Sequence, residues 1–294
     1  MKKQCIGTGI MNNYSFRIAF SGFSVRFKLP CPIELPDELS LFLSENVTTA
    51  DAEYEICLLK EPLKPQEPPV CVHQGTKIYR TNEGWLRIYP LRIGEDGCQV
   101  ACLLCPNGKN ILYYPLCMWD YYSKPLHCLP QLGIEYPLLR RNAFMLHSSV
   151  VELNGKTVLF AGPAAVGKST QAQLWETHLG AKILNGDRCI VMQKPDGFYG
   201  GGSPWCGSSK IYHREQYPIA GIFLVNQAPD NSVQSMGVDA FLPLFSQTLI
   251  NSWDTEFMNH IMNLYQDLLN QIPIYRLNCR PDEGAVQAAF QALF

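Results

Sequence analysis

Between Val158 and Trp175 the chain reads VLFAGPAAVGKSTQAQLW. Gly162-Pro163-Ala164-Ala165-Val166-Gly167-Lys168-Ser169 meets G-x-x-x-x-G-K-[ST] at every fixed position. The β-prone run TVLFA leads straight into it, and STQAQLW continues as a helix. That order constrains the fold. The glycines must turn the backbone tightly, so that successive N–H groups point at one anion. The helix opening at Lys168 must add the positive end of its dipole. The strand needs a sheet and the helix needs a packed face, so the core is α/β. The loop reads as a nucleotide cradle from Gly162 to Thr170. Lys168 would reach the phosphates as a point charge, the Ser169 hydroxyl would bind Mg²⁺, and Thr170 would reach the α-phosphate. A loop that folds but no longer holds nucleotide is the alternative.

Composition removes several other classes. Hydrophobic residues are 47% and charged residues 17% of 294, enough to bury a substantial core. The net charge is −2 and no Lys/Arg-rich run occurs, so neither nucleic acid nor a polybasic membrane contact is expected. No run of apolar residues is long enough to span a bilayer. MKKQCIGTGIMNNYSFRIAF lacks the apolar stretch and cleavage site of a secretion signal, so a cytoplasmic location is expected. The 12 cysteines are scattered from Cys5 to Cys279, which reads as reduced thiols. Cys102 and Cys105 form a C-x-x-C, but QVACLLC reads as a buried strand ending at a Pro-Asn-Gly turn.

Two regions are expected. Residues 1–137 are β-rich: FRIAFSGFSVRFKL, YEICLL, TKIYRT, WLRIYPLRI, CQVACLLC and NILYYPL alternate with turns at Asn82-Glu83-Gly84, Glu95-Asp96-Gly97 and Asn107-Gly108. The proline-rich stretch Glu61 to Val70 reads as an exposed loop. From Leu138 the pattern becomes a short helix, a strand, an Asn154-Gly155 hairpin turn and a second strand. The cradle and a helix over 168–179 follow, stopped by Gly180. AKILNGDRCIVMQK, GFYGGG and IAGIFLVNQ read as strands and turns. Helices are expected over 238–250 and 253–271, the second with Trp253, Phe257, Ile261, Leu264, Tyr265, Leu268 and Leu269 on one face. The strand IPIYRLN and a helix from Pro281 finish the chain.

Phosphoryl transfer needs the phosphates held, charge neutralised and the attacking group oriented. A carboxylate near the γ-phosphate would take a proton from an attacking hydroxyl. Asp187, just past the strand KIL, is the candidate, with a plain Asn185-Gly186-Asp187 turn as the alternative. His147 reads either as catalytic or as structural. Arg188 either steers phosphate or pairs with a nearby acid. In GGGSPWCGSS the glycines and Trp205 suggest a loop over the nucleotide or acceptor, against a plain connection with a core tryptophan. Lys210 and Arg214 are candidate phosphate contacts, with solvated charges as the alternative. Cys206 reads as an ordinary thiol, with a reactive one as the alternative.

His147 stands fifteen residues before Gly162, and Asp187 nineteen after Lys168. With VVELNGKTVLFAGPAAVGKST and GAKILNGDRCIV, this layout resembles the catalytic domain of HPr kinase/phosphorylase, and more closely the smaller HPr-kinase-like proteins. The resemblance covers about residues 140–225. It implies a P-loop kinase core of the HPr kinase and phosphoenolpyruvate carboxykinase type, preceded here by the β-rich region, and a tendency to form homo-oligomers. It implies that His147 lies near the phosphates and that Asp187 belongs to an acidic pair, one member acting as base and the other helping the metal. The family's Asp-Asp-Arg is Gly186-Asp187-Arg188 here, so one carboxylate is missing. Ala165 replaces a common loop glycine. The family's Glu-x-Arg-Gly segment has no clear counterpart, so neither phosphorylase activity nor HPr as substrate is carried over.

The expected activity is therefore an ATP- and Mg²⁺-dependent kinase acting on a hydroxyl of a peptide, a protein or a small molecule. The β-rich region would recognise the acceptor or a partner. The competing expectation is a nucleotide-controlled binding or scaffold module with little transfer.

Overall fold

In the computed structural model the described residues are 14–44, 49–90 and 98–294. The N-terminal stretch, the Glu95-Asp96-Gly97 turn and the end of WLRIYPLRI lie outside them. The chain divides into two compact units, one running to Pro137 apart from Phe20–Gly22, the other Leu138–Phe294 with Phe20–Gly22.

The first unit is built on one sheet of eight strands: β1 (Tyr14–Phe20), β2 (Phe23–Leu29), β3 (Ala52–Leu59), β4 (Cys71–His73), β5 (Thr76–Thr81), β6 (Gly84–Tyr89), β7 (Val100–Leu104) and β8 (Lys109–Pro115). Their order is β1-β2-β3-β8-β7-β6-β5-β4. Cys57, Leu59, Tyr79, Leu86, Ile88, Ala101, Leu103 and Tyr113 form one core cluster. Short helices α1 (Asp37–Ser40), α2 (Trp119–Tyr122), α3 (Pro125–Cys128) and α4 (Glu135–Leu139) complete the unit. A buried ion pair ties Arg87 on β6 to Glu135 on α4, and the Tyr54 hydroxyl donates to the Leu132 carbonyl at 2.7 Å. The Arg87 guanidinium, the Glu135 carboxylate and the Tyr54 hydroxyl are so partnered, and burial without a partner would cost each several kcal/mol. Cys102 is fully buried, and burial pushes its thiol up, which fits a core cysteine. Residues 61–70 are irregular and mostly exposed.

The second unit contains β9 (Ala143–Leu153), β10 (Lys156–Ala161), α5 (Lys168–Leu179), β11 (Lys182–Asn185), β12 (Arg188–Lys194), β13 (Gly197–Gly201), β14 (Gln216–Gln227), β15 (Ser232–Met236), α6 (Phe241–Phe245), α7 (Thr255–Gln271), β16 (Ile274–Cys279) and α8 (Glu283–Leu293). Pairings β10–β9, β9–β12, β12–β13, β13–β14 and β14–β10 return to their start, so the sheet closes on itself. β16 and β15 extend it from β14. β10, β14 and β16 run parallel, and their C-terminal ends are where α/β sheets gather ligand sites. Trp175 of α5 is fully buried and meets Phe160 of β10 edge-on at 5.6 Å, fixing the helix on the sheet. Gly180 ends α5 at φ 68°.

Two helix expectations need correction. Over 238–250 only a 3₁₀ turn, Val238–Ala240, and the short α6 form. The chain then lies along β9: the His147 N–H donates to the Gln247 carbonyl at 2.8 Å and the Leu249 N–H to the Met145 carbonyl at 3.1 Å. β10 pairs only from Ser148 onward, so the first part of β9 has an edge to satisfy, and that pairing overrides the helical pattern. The second helix starts at Thr255, because Asp254 caps it by accepting from Glu256 and Phe257. Trp253 therefore stands outside it. Phe257, Ile261, Leu264, Tyr265 and Leu268 form its buried face. Among the described residues no helix is long and apolar enough to cross a membrane.

Candidate functional site

β10 runs into the loop 162–167, and α5 leaves it. Gly162 has φ 146°, and a Cβ there would come within 3.0 Å of Val166 Cγ1. Gly167 has φ 108° with open space beside it, so glycine is required there by backbone conformation alone. Ala165 is also left-handed, at φ 63°. Pro163, Ala164 and Ala165 are exposed, and Val166 is half-buried. Gly167 offers α5 no side-chain cap, so the first helical N–H groups remain open to an anion.

Lys168 is buried at 6% exposure, and its Nζ donates to the Gly162 and Pro163 carbonyls at 2.9 and 2.8 Å. Burial lowers its ammonium below the ordinary value, against the pull of Asp187, while Arg188 lowers it further. The Ser169 hydroxyl donates to the Gly186 carbonyl at 3.3 Å, which brings the start of α5 against the acidic turn. Thr170 is exposed.

Asp187 lies between β11 and β12, which together follow β9 with one irregularity between Ile183 and Asn185. Arg188 pairs directly with His147 across that ladder. His147 Nε2 stands 3.3 Å from Asp187 Oδ1, and Arg188 Nε 3.5 Å from Oδ2. The His147 hydrogen bond holds the Asp187 carboxyl below its ordinary value. Burial opposes this, and Arg188 and Lys168 add to it. His147, Lys168, Ser169, Asp187 and Arg188 thus form one cluster.

The residue that builds this turn is Asn185, which the motif reading missed. Its side chain is fully buried. Oδ1 accepts from the N–H groups of Asp187 and Arg188, both at 2.8 Å. Nδ2 donates to the carbonyls of Ser203 and Trp205 at 3.0 and 3.2 Å. One amide therefore fixes the acidic turn and the glycine-rich segment together. Its signal in the sequence, Asn-Gly, marks a turn but not this second attachment.

That segment folds against the carboxylate. Gly207, at φ 56°, lies so close that a Cβ would stand 2.9 Å from Asp187 Cγ. A side chain at Gly186 would meet Ser209, its Cβ 2.7 Å away. The position where the family resemblance expects a second carboxylate is thus filled by Ser209. Trp205 is half-buried and held here through its backbone. Burial raises the Cys206 thiol, which keeps it protonated and favours the ordinary reading. Lys210 and Arg214 are exposed, and no contact among the described residues brings either to the loop or to Asp187.

Two clefts flank the loop. One, of about 440 Å³, takes in Gly162, Pro163, Asn226, Gln247, Arg276 and Asn278. The other, of about 560 Å³, takes in Val166, Gly167, Thr170, Gln227, Pro229 and Arg280.

No family model matches the sequence, and no curated protein matches it. Among solved structures, the HPr(Ser) kinase/phosphatase from Coxiella burnetii is similar with a TM-score of 0.30 at 10% identity, over 50% of this chain and 94% of that one.

Proposed function

We propose that residues 138–294 bind ATP with Mg²⁺ and transfer the γ-phosphate to a hydroxyl. The observation that carries this is the cluster itself: an uncapped helix N-terminus and a buried lysine beside a carboxylate held by histidine. The phosphate chain lies along loop 162–167, its charge met by Lys168, the open N–H groups of α5 and its dipole. On binding, Lys168 Nζ exchanges two carbonyl partners for phosphate oxygens.

The donors at the cluster fit Mg²⁺. It prefers hard oxygen ligands and uses one or two carboxylates together with substrate phosphates. Ser169 Oγ and Asp187 supply such oxygens, and no group of three or more His, Cys, Asp or Glu gathers among the described residues. When bound, the ion neutralises charge on the phosphates.

Asp187 accepts the proton of the attacking hydroxyl, and His147 holds the carboxylate in place. A carboxylate kept below its ordinary pKa is a weak base. That suffices where the transition state is loose and the proton leaves late. Arg188, on the other oxygen of Asp187, steadies charge. The first unit, residues 1–137, recognises the acceptor or a partner in this reading.

The test is paired. Lys168→Ala loses binding of a fluorescent ADP, while Asp187→Asn keeps binding and loses transfer. Normal transfer by Asp187→Asn would remove Asp187 as the base. Mass spectrometry of lysate incubated with Mg-ATP and the chain, with Asp187→Asn as control, then identifies the phosphorylated product. The filled position at Gly186 favours a second reading, a nucleotide-controlled module. Bound or slowly hydrolysed ATP with no phosphorylated product would establish that one instead.

A further inference from the structure

The first unit brings two thiols together at its surface. β7 and β8 pair Ala101 with Tyr113, Cys102 with Leu112 and Leu103 with Ile111. Followed three residues beyond Ala101 and Tyr113, that register sets Cys98 level with Leu116, next to Cys117. Cys98 lies just before β7, and Cys117 lies in the 3₁₀ turn Leu116–Met118 just after β8. Their Sγ atoms stand 3.2 Å apart, although the two residues are 19 apart in the chain. A disulfide needs about 2.05 Å, so closure takes a shift of roughly 1 Å. Neither cysteine belongs to the ladder itself, so the shift falls at the open ends of the hairpin. Cys117 is exposed and Cys98 half-buried. Both line a cleft of about 350 Å³ whose walls include Leu59, Pro62, Pro115 and Leu116. A dissolved reagent therefore reaches the pair. Cys102, on the same ladder, is fully buried, and burial pushes its thiol up, so it lacks the thiolate that exchange requires.

We infer that Cys98 and Cys117 are a modification site, a reversible disulfide that a small-molecule disulfide oxidises and a small thiol reduces. The thiolate of Cys117, the more exposed of the two, attacks one sulfur of glutathione disulfide and expels a glutathione thiolate. Cys98, as its thiolate, then attacks the Cys117 sulfur of the mixed disulfide and expels the second glutathione thiolate. The two protein thiols lose two electrons, one glutathione disulfide gains them, and the two thiol protons pass through water to the two glutathione thiolates. The new bond ties the residue before β7 to the turn after β8 in the wall of the cleft. An exposed bond stays open to attack, so an excess of reduced glutathione runs the sequence backward. None of this depends on what the loop at Gly162 binds.

The test equilibrates the full chain, folded and in urea, with mixtures of reduced and oxidised glutathione. Samples are quenched in acid and mapped by mass spectrometry without reduction. The folded chain is expected to lose two hydrogens in one step, with fragmentation of the linked peptides placing the bond between Cys98 and Cys117. At half-oxidation, the square of the reduced glutathione concentration divided by that of the disulfide gives the effective concentration of one thiol at the other. That value should be at least about tenfold higher for the folded chain than in urea, because the fold already holds the thiols together. Excess reduced glutathione should restore both thiols. Cys98→Ser should stop at the mixed disulfide on Cys117, for want of the second nucleophile. A bond that joins other cysteines overturns the inference, as do separate glutathione adducts on Cys98 and Cys117 with no bond between them. An effective concentration no higher folded than in urea overturns it too, as does a bond that excess reduced glutathione leaves intact in the folded chain.

Discussion

Ala165 holds a left-handed backbone at φ 63° that a residue with a Cβ adopts at a cost of about 1–2 kcal/mol. Glycine would remove that strain, while its looser unfolded chain takes back about 0.4–1 kcal/mol. Ala165→Gly is therefore expected to stabilise the second unit by about 0.5–1 kcal/mol in urea unfolding. Asp187 titrates below its ordinary value when folded, chiefly through His147. The folded state then binds fewer protons there than the unfolded one. The contribution of this pair is complete above the ordinary carboxylate value of about 3.9 and is lost as pH falls through the lower folded value. Urea midpoints followed into acid should fall less steeply for Asp187→Asn than for the native chain. Parallel acid limbs would show that the His147 contact adds nothing to stability.

Elements differ in how far their neighbours decide them. α7 declares itself, with a buried face at helical spacing and Asp254 accepting from two N–H groups at its start. Asp254→Ala should cost about 0.5–2 kcal/mol by thermal unfolding. α5 depends on Trp175, and Trp175→Ala should cost about 3–5 kcal/mol in the same measurement. The loop from Gly162 to Ser169 was legible because its constraints are local: glycines for positive φ and a strand before a helix. Three features were not, because each is settled by a distant partner. The segment after α6 became a strand-like edge because β9 had an edge to satisfy. β15, Ser-Val-Gln-Ser-Met, is polar and mostly exposed, so only its pairing with β16 identifies it. Asn185 reads as an ordinary turn residue until the backbone of Ser203 and Trp205 arrives beside it.

For the whole molecule, ligand binding should distinguish the two units. A nucleotide that binds only the folded second unit stabilises it by about 2.7 kcal/mol at a hundredfold excess over Kd. In calorimetry, Mg-ADP should raise the transition belonging to residues 138–294 and leave that of the first unit in place. A shift in Lys168→Ala as large as in the native chain would dissociate the effect from the loop. The chain also carries three Asn-Gly steps, at Asn107, Asn154 and Asn185. Asn-Gly amides hydrolyse to aspartate as proteins age, because the glycine N–H can attack the side-chain carbonyl. Asn107 and Asn154 are exposed, whereas Asn185 is buried with both ends of its amide bonded. Peptide mapping of stored protein should therefore find aspartate early at 107 and 154, and at 185 only as fast as the site opens. Once formed there, a carboxylate replaces the donors that faced the carbonyls of Ser203 and Trp205, and the turn cannot close again. The slowest of the three steps thus keeps time for the site, recording how often it has come apart.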